Sequence, residues 1–95
     1  MEHVKLFYLT NCPYCKQAQK VIQQLQNENQ KYQEIISHIQ WVEESVEKEL
    51  ADSYDYYYVP TIFVGETKKY EARPGESYET CYMQIKTVFD ELAGE

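Results

Sequence analysis

Two cysteines, Cys12 and Cys15, enclose Pro13 and Tyr14 at the point where an apolar run gives way to helical spacing. The run, Val4-Lys5-Leu6-Phe7-Tyr8-Leu9, is broken only by Lys5 and reads as a buried central strand. From Cys15 onward apolar residues fall at Ala18, Val21, Ile22 and Leu25, the stripe of an amphipathic helix that ends near Asn27-Glu28-Asn29-Gln30. The pair is therefore fixed at a strand-to-helix junction. A chain that begins this way continues most simply into a parallel second strand through a right-handed crossover. At the junction Cys12 faces first-turn amides that have no partner inside the helix. Those amides, with the positive end of the helix dipole, favour a thiolate. Pro13 suits the first helical position, where no amide donor is lost. Cys15, one turn in, lies within disulfide reach and is the more sheltered sulfur. The residues thus read as an attacking thiol, Cys12, and a resolving thiol, Cys15, with Lys16 as a modest further aid to the thiolate.

A close cysteine pair can also supply two ligands to zinc. A closed site needs four, and the remaining candidates, Cys81, His3 and His38, show no paired ligand spacing. The chain opens on a strand-like run rather than a basic segment followed by a long apolar one, so the expectation is no signal peptide, no membrane span and a cytoplasmic location. In a reducing compartment, two close cysteines out of three point to redox chemistry rather than a structural staple. A net charge of -7 argues against nucleic acid and anionic membranes as partners. The 95 residues suit one domain spanning 1–95, with a core that needs no disulfide, and a monomer is expected.

Further along, Glu34–Ile39 reads as the second strand. Val42, Val46 and Leu50 recur every four residues and mark a second helix, with the charges of Glu43 to Glu49 as its solvated face. Val59–Val64 reads as strand three, Gly65-Glu66-Thr67 as a turn and Lys68–Arg73 as strand four, in an antiparallel hairpin. After the Pro74-Gly75 break, Ser77 suits an N-cap. Tyr78, Cys81, Tyr82, Ile85, Val88, Phe89 and Leu92 then form a clean helical stripe on which Cys81 is a small core residue. Trp41 is expected at the end of strand two, and His3 and His38 at the surface or a strand edge. Tyr54, Tyr56, Tyr57 and Tyr58 fit either a substrate-groove wall or aromatic packing between helix two and strand three. The element order is βαβαββα.

The opening strand, Cys12-Pro13-Tyr14-Cys15-Lys16, Val59-Pro60-Thr61 before a hairpin and Gly75 before the last helix resemble a glutaredoxin of the thioredoxin superfamily along essentially the whole chain. That resemblance implies an α/β, thioredoxin-like fold with a four-stranded mixed sheet. Helices one and three would cover one face and helix two the other, with a cis Pro60 packed beside the cysteines. It implies a thiol–disulfide oxidoreductase that needs no tightly bound cofactor, with glutathione as co-substrate. Its partners would be disulfide-bearing or glutathionylated proteins. Tyr14 would line the glutathione groove, Val59 and Pro60 would present backbone to its cysteine portion, and Gly75, Glu76 and Ser77 would hold its γ-glutamyl carboxylate. The family usually has lysine where this chain has Leu9, threonine where it has Tyr58, and two glycines and an aspartate where it has Arg73-Pro74-Gly75-Glu76-Ser77. These departures support an alternative, a thioredoxin-like reductant recycled by a flavoprotein reductase. A further alternative is an iron–sulfur module with the cluster bridged between two chains, since one chain cannot supply four thiolates.

Overall fold

The structure is a computed structural model and describes residues 3–94. Its elements are β1 (Val4–Tyr8), α1 (Pro13–Glu28), α2 (Gln30–Ser37), β2 (Ile39–Glu43), α3 (Lys48–Asp52), β3 (Thr61–Val64), β4 (Thr67–Glu71) and α4 (Tyr78–Ala93). The strands form one sheet in the order β2-β1-β3-β4. β1 runs parallel to β2, with Tyr8 opposite Glu43, and antiparallel to β3, with Phe7 opposite Thr61. β3 and β4 form the antiparallel hairpin. β1 and β3 are central and covered on both faces, which explains why their sequences are nearly continuous apolar runs.

The two sheet faces are covered unequally. On one, Val4, Leu6, Ile39, Ile62, Val64 and Tyr70 meet the buried stripes of α1, α2 and α4. Each fully buried Leu, Ile or Phe there contributes about 1.5–3 kcal/mol of transfer free energy. On the other, Phe7, Val42 and Phe63 are covered only by Ala51 and Leu50 of the five-residue α3 and by Tyr54, Tyr56 and Val59. Tyr54 and Tyr56 stack on Phe7 with ring centroids 5.0 Å away in both cases.

The fold class agrees with the sequence reading, but two elements do not lie where expected. Glu34–Ile39 is not a strand: all but its last two residues belong to α2. Asn29 ends α1 through its N–H to the Leu25 carbonyl and starts α2 by accepting the Lys31 N–H on its side chain at 3.0 Å. Tyr32 and Ile35 are buried and Ile36 is half-buried, a three-and-four spacing that belongs to a helix. The expected second helix is displaced in turn. Val42 is buried in β2, Val46 stands 77% exposed in a turn, and only Lys48–Asp52 is helical. β2 is an edge strand with Ile39 and Val42 as its only buried residues, so its sequence lacks a strong strand pattern. Trp41 lies mid-strand rather than at its end, edge-on to Tyr8 at 5.9 Å. The last helix follows its stripe, with Ser77 as N-cap accepting the Thr80 N–H at 3.1 Å.

Candidate active site

The C-terminal ends of the parallel strands β1 and β2 and the segment entering β3 converge at one edge of the molecule. Thr10, in the loop leaving β1, donates to Glu43 Oε2 at 3.0 Å and ties the loop to β2. Cys12 then takes extended backbone as the N-cap of α1, and Pro13 occupies the first turn. The Cys15 N–H donates to Cys12 Sγ at 3.1 Å, so a first-turn amide that lacks a helical acceptor finds one in sulfur. The Cys12 thiol faces the Val59 carbonyl at 3.7 Å. The Val59–Pro60 bond is cis and Pro60 is buried, as the resemblance implied. Both cysteine side chains are free; Cys12 is partly exposed, whereas Cys15 is buried. Desolvation, reinforced by the Cys12 hydrogen bond and by the charges of Cys12 and Glu44, pushes the Cys15 thiol up to about 12.

The loop before α4 meets this site through Tyr14 and Gln17. The Gly75 N–H donates to the Tyr14 hydroxyl at 2.6 Å, and Gln17 donates to the Glu76 carbonyl at 3.2 Å. Gly75 has φ +83°, a conformation an L side chain adopts only with strain. Glu76 turns its carboxylate inward: the Tyr70 hydroxyl lies 2.5 Å from Oε2 and 3.4 Å from Cys81 Sγ, and Oε1 is buried without a partner. Ser77 is committed to capping α4. The structure thus gathers Cys12, Pro13, Tyr14, Cys15, Val59 and Pro60. It joins Gly75 and Ser77 to them through Tyr14 and the start of α4, while the Glu76 side chain faces the core.

Two residues with site roles carry no motif. Glu71 on β4 accepts the Tyr57 and Tyr58 amides on Oε2 at 2.5 and 2.8 Å, and Lys68 Nζ lies 2.8 Å from Oε1. It therefore anchors the segment that leads into Val59 and Pro60. Gln17 could have been suspected only from its place one turn beyond Pro13 on the helix. Of the four tyrosines, Tyr54 and Tyr56 take the aromatic-packing role, on Phe7, whereas Tyr57 and Tyr58 stand 87% and 49% exposed. Among the described residues, no group of three or more Cys, His, Asp or Glu is placed to hold a metal ion.

A mixed sheet in the order 2-1-3-4, a cysteine pair at the N-terminus of the first helix and, facing Cys12, the carbonyl that precedes a cis proline define a thioredoxin-like fold. The glutaredoxin family model matches residues 4–68, more than half of the chain, and the protein belongs to that family. Its activity is accordingly of the thiol–disulfide oxidoreductase type, with redox partners. The match ends before Gly75, Glu76, Ser77 and Cys81. Neither a search of curated proteins nor one of solved structures finds a match. No helix among the described residues is long and apolar enough to cross a membrane.

Proposed function

We propose that this protein reduces protein disulfides and glutathione-mixed disulfides through Cys12 and Cys15. The observation that carries this reading is the Cys15 N–H held 3.1 Å from Cys12 Sγ at a helix N-cap, with Cys15 itself buried. The Cys12 thiolate attacks one sulfur of the substrate disulfide. That S–S bond breaks, a mixed disulfide forms on Cys12, and the first substrate sulfur leaves as a thiolate that takes up a proton. Until then Cys15 is held protonated by burial and by its hydrogen bond and charge interaction with Cys12. Mixed-disulfide formation removes both contributions from Cys12, so Cys15 loses its proton more readily at the step where it must attack. It displaces the second substrate thiol, and the chain is left with a Cys12–Cys15 disulfide. Two electrons have passed to the substrate, and two external thiol equivalents restore the pair. Pro13, Tyr14 and Pro60 shape the loop around the thiols. Val59 offers backbone to the incoming chain, and the Gly75–Ser77 loop bounds the groove.

A second reading, a thioredoxin-like reductant served by a flavoprotein reductase, is favoured by one contact. The Gly75 amide, expected to meet the glutathione carboxylate, already donates to Tyr14. The test is turnover of a glutathionylated substrate and of a protein disulfide by wild type, Cys12→Ser and Cys15→Ser. Cys12→Ser is expected to lose both activities. Cys15→Ser is expected to lose protein-disulfide reduction and keep glutathione-dependent deglutathionylation. Turnover by Cys12→Ser sinks the assignment. Failure of wild type with glutathione, alongside success with a dithiol donor, selects the second reading.

A further inference from the structure

The thin cover on the second sheet face leaves an open groove of about 520 Å³ between α3 and the segment entering β3. Glu44, Lys48, Asp52, Tyr54, Tyr56 and Tyr57 line it. Two carboxylates thus face one ammonium. Among the described residues, none of the ion pairs joins Glu44 or Asp52 to a cation. Glu44 accepts only the Tyr56 hydroxyl, at 2.7 Å, through its side chain. The aromatic wall already takes a cation elsewhere: Lys5 Nζ sits 5.8 Å from the Tyr54 ring centroid. Tyr57, at 87% exposure, projects from the rim with its ring free.

Two segments of backbone lead from the groove lining toward the thiol site. Glu44 follows β2, and its N–H donates to the Tyr8 carbonyl at 3.0 Å, four residues before Cys12. Tyr57 lies two residues before Val59, whose carbonyl faces the Cys12 thiol. The charge of Glu44 is also felt at Cys15. The lining thus offers aromatic rings and two carboxylates without a cation partner among the described residues, within two residues of Val59 at Tyr57.

We propose that this groove docks a lysine- or arginine-bearing extended segment beside the substrate protein's disulfide, and so selects cationic disulfide substrates. The proposal rests on the thiol–disulfide reading above and adds the class of its substrate. The occupant is a protein segment: cations on it pair with Glu44 and Asp52, and one can stack on Tyr57.

The test compares kcat/KM for two disulfide peptides that differ only in lysine or glutamate flanking the cysteines. Exposed charge pairs of this kind change rates roughly twofold to fivefold each. The lysine peptide is expected to be preferred roughly three- to tenfold at low salt, with the preference collapsing at high ionic strength. Glu44→Gln and Asp52→Asn are each expected to reduce the preference about two- to fourfold. Because the preference is a ratio measured within one variant, any effect of Glu44 on Cys15 cancels. Glu34→Gln removes the same charge from exposed α2 and is expected to leave the ratio unmoved. Equal rates on both peptides overturn the docking proposal alone. So does a ratio that Glu34→Gln shifts as much as Asp52→Asn does, since net charge would then explain it. Reduction of neither peptide by wild type removes the oxidoreductase reading, and this proposal with it.

Discussion

Limited alkylation of the reduced protein tests the asymmetry of the two thiols without a substrate. Cys15 is 2% exposed and its thiol is pushed up to about 12 from 9.0, first by desolvation and then by Cys12. At pH 7.5 a thiol titrating at about 12 is roughly 3 parts in 100,000 thiolate, against about 3 in 100 for one at 9.0, a factor of about 1,000. The more basic thiolate is intrinsically more nucleophilic. A Brønsted coefficient of about 0.4–0.5 over this shift returns a factor of roughly 20. Cys15 should therefore react roughly 50-fold more slowly than an unperturbed thiol before burial is counted, and burial slows it further.

The assay is a quenched time course with iodoacetamide, read by mass spectrometry with peptide mapping. A single label is expected at Cys12. Cys15 and Cys81 should remain unlabelled until urea unfolds the chain, after which all three react. The Cys15 rate should climb about tenfold per pH unit toward its titration. In Cys12→Ala the contributions of Cys12 vanish, but desolvation, the larger cause, remains, so labelling of Cys15 should accelerate and stay well below the unfolded rate. Labelling of Cys15 in the folded wild type within about threefold of its unfolded rate would refute the reasoning.

Glu71→Ala removes the acceptor for two backbone amides ahead of the Val59–Pro60 bond and should cost about 1–2 kcal/mol, with a rise in KM because the wall opposite Cys12 loosens. Urea unfolding and peptide kinetics measure the two effects, and unchanged values for both remove Glu71 from the site. Although desolvation alone would raise it, Lys68 and the Tyr58 and Tyr57 amides hold the Glu71 carboxyl below its usual 4.5. Its stabilising contribution is therefore present above that value and is lost as pH falls through the depressed one, an acid sensitivity that Glu71→Ala should flatten. At the alkaline end, desolvation pushes Cys15 to about 12 and Cys81 to about 11, both from 9.0. Stability tied to these neutral thiols is complete below 9.0 and is lost as pH rises toward those values, at about 1.4 kcal/mol per pH unit for each. In Cys81→Val, unfolding measured with reductant between pH 9 and 11 should show a slope shallower by about that amount; an unchanged slope would rule out the Cys81 contribution.

The sequence was most legible where burial and local chemistry agree. β1, α1 and α4 each carry a long apolar pattern, and the two helices add a start signal: Cys12 and Pro13 begin one and Ser77 the other. The site was legible for the same reason, because the thiol pair lies in the turn that ends β1 and begins α1. Legibility failed from Glu34 to Tyr58. There, three isoleucines suggested a strand although the Tyr32, Ile35 and Ile36 spacing is helical, and Asn29 caps the helix that follows it. Val42, Val46 and Leu50 suggested a helix by a spacing of four, which the fold does not use, since Val46 faces solvent. A stripe of three residues is too short to tell burial from coincidence. An edge strand such as β2 provides little more, because only two of its residues are buried.

That illegible stretch is also where the second face lacks a full helix. A five-residue α3 cannot cover Phe7, Val42 and Phe63, so Tyr54 and Tyr56 complete the cover with rings, and the Tyr56 hydroxyl reaches Glu44 on the groove. Aromatic side chains can do this because they combine a large apolar body with a polar tip. A regular amphipathic helix there would bury its stripe and present an ordinary solvated surface. Cover by rings leaves a groove instead, and Glu44, which reads in sequence as part of the solvated face of a helix, joins Asp52 in its lining. The regular β1–α1 junction fixes the thiols, whereas the segment that deviates from regular structure carries the carboxylates of the groove. On the proposed reading, chemistry and selectivity sit on different parts of the fold: Cys12 and Cys15 at the start of α1, and Glu44, Asp52 and Tyr57 on the cover of the opposite face. Substitutions at the second set should therefore change which disulfide is chosen more than how it is reduced.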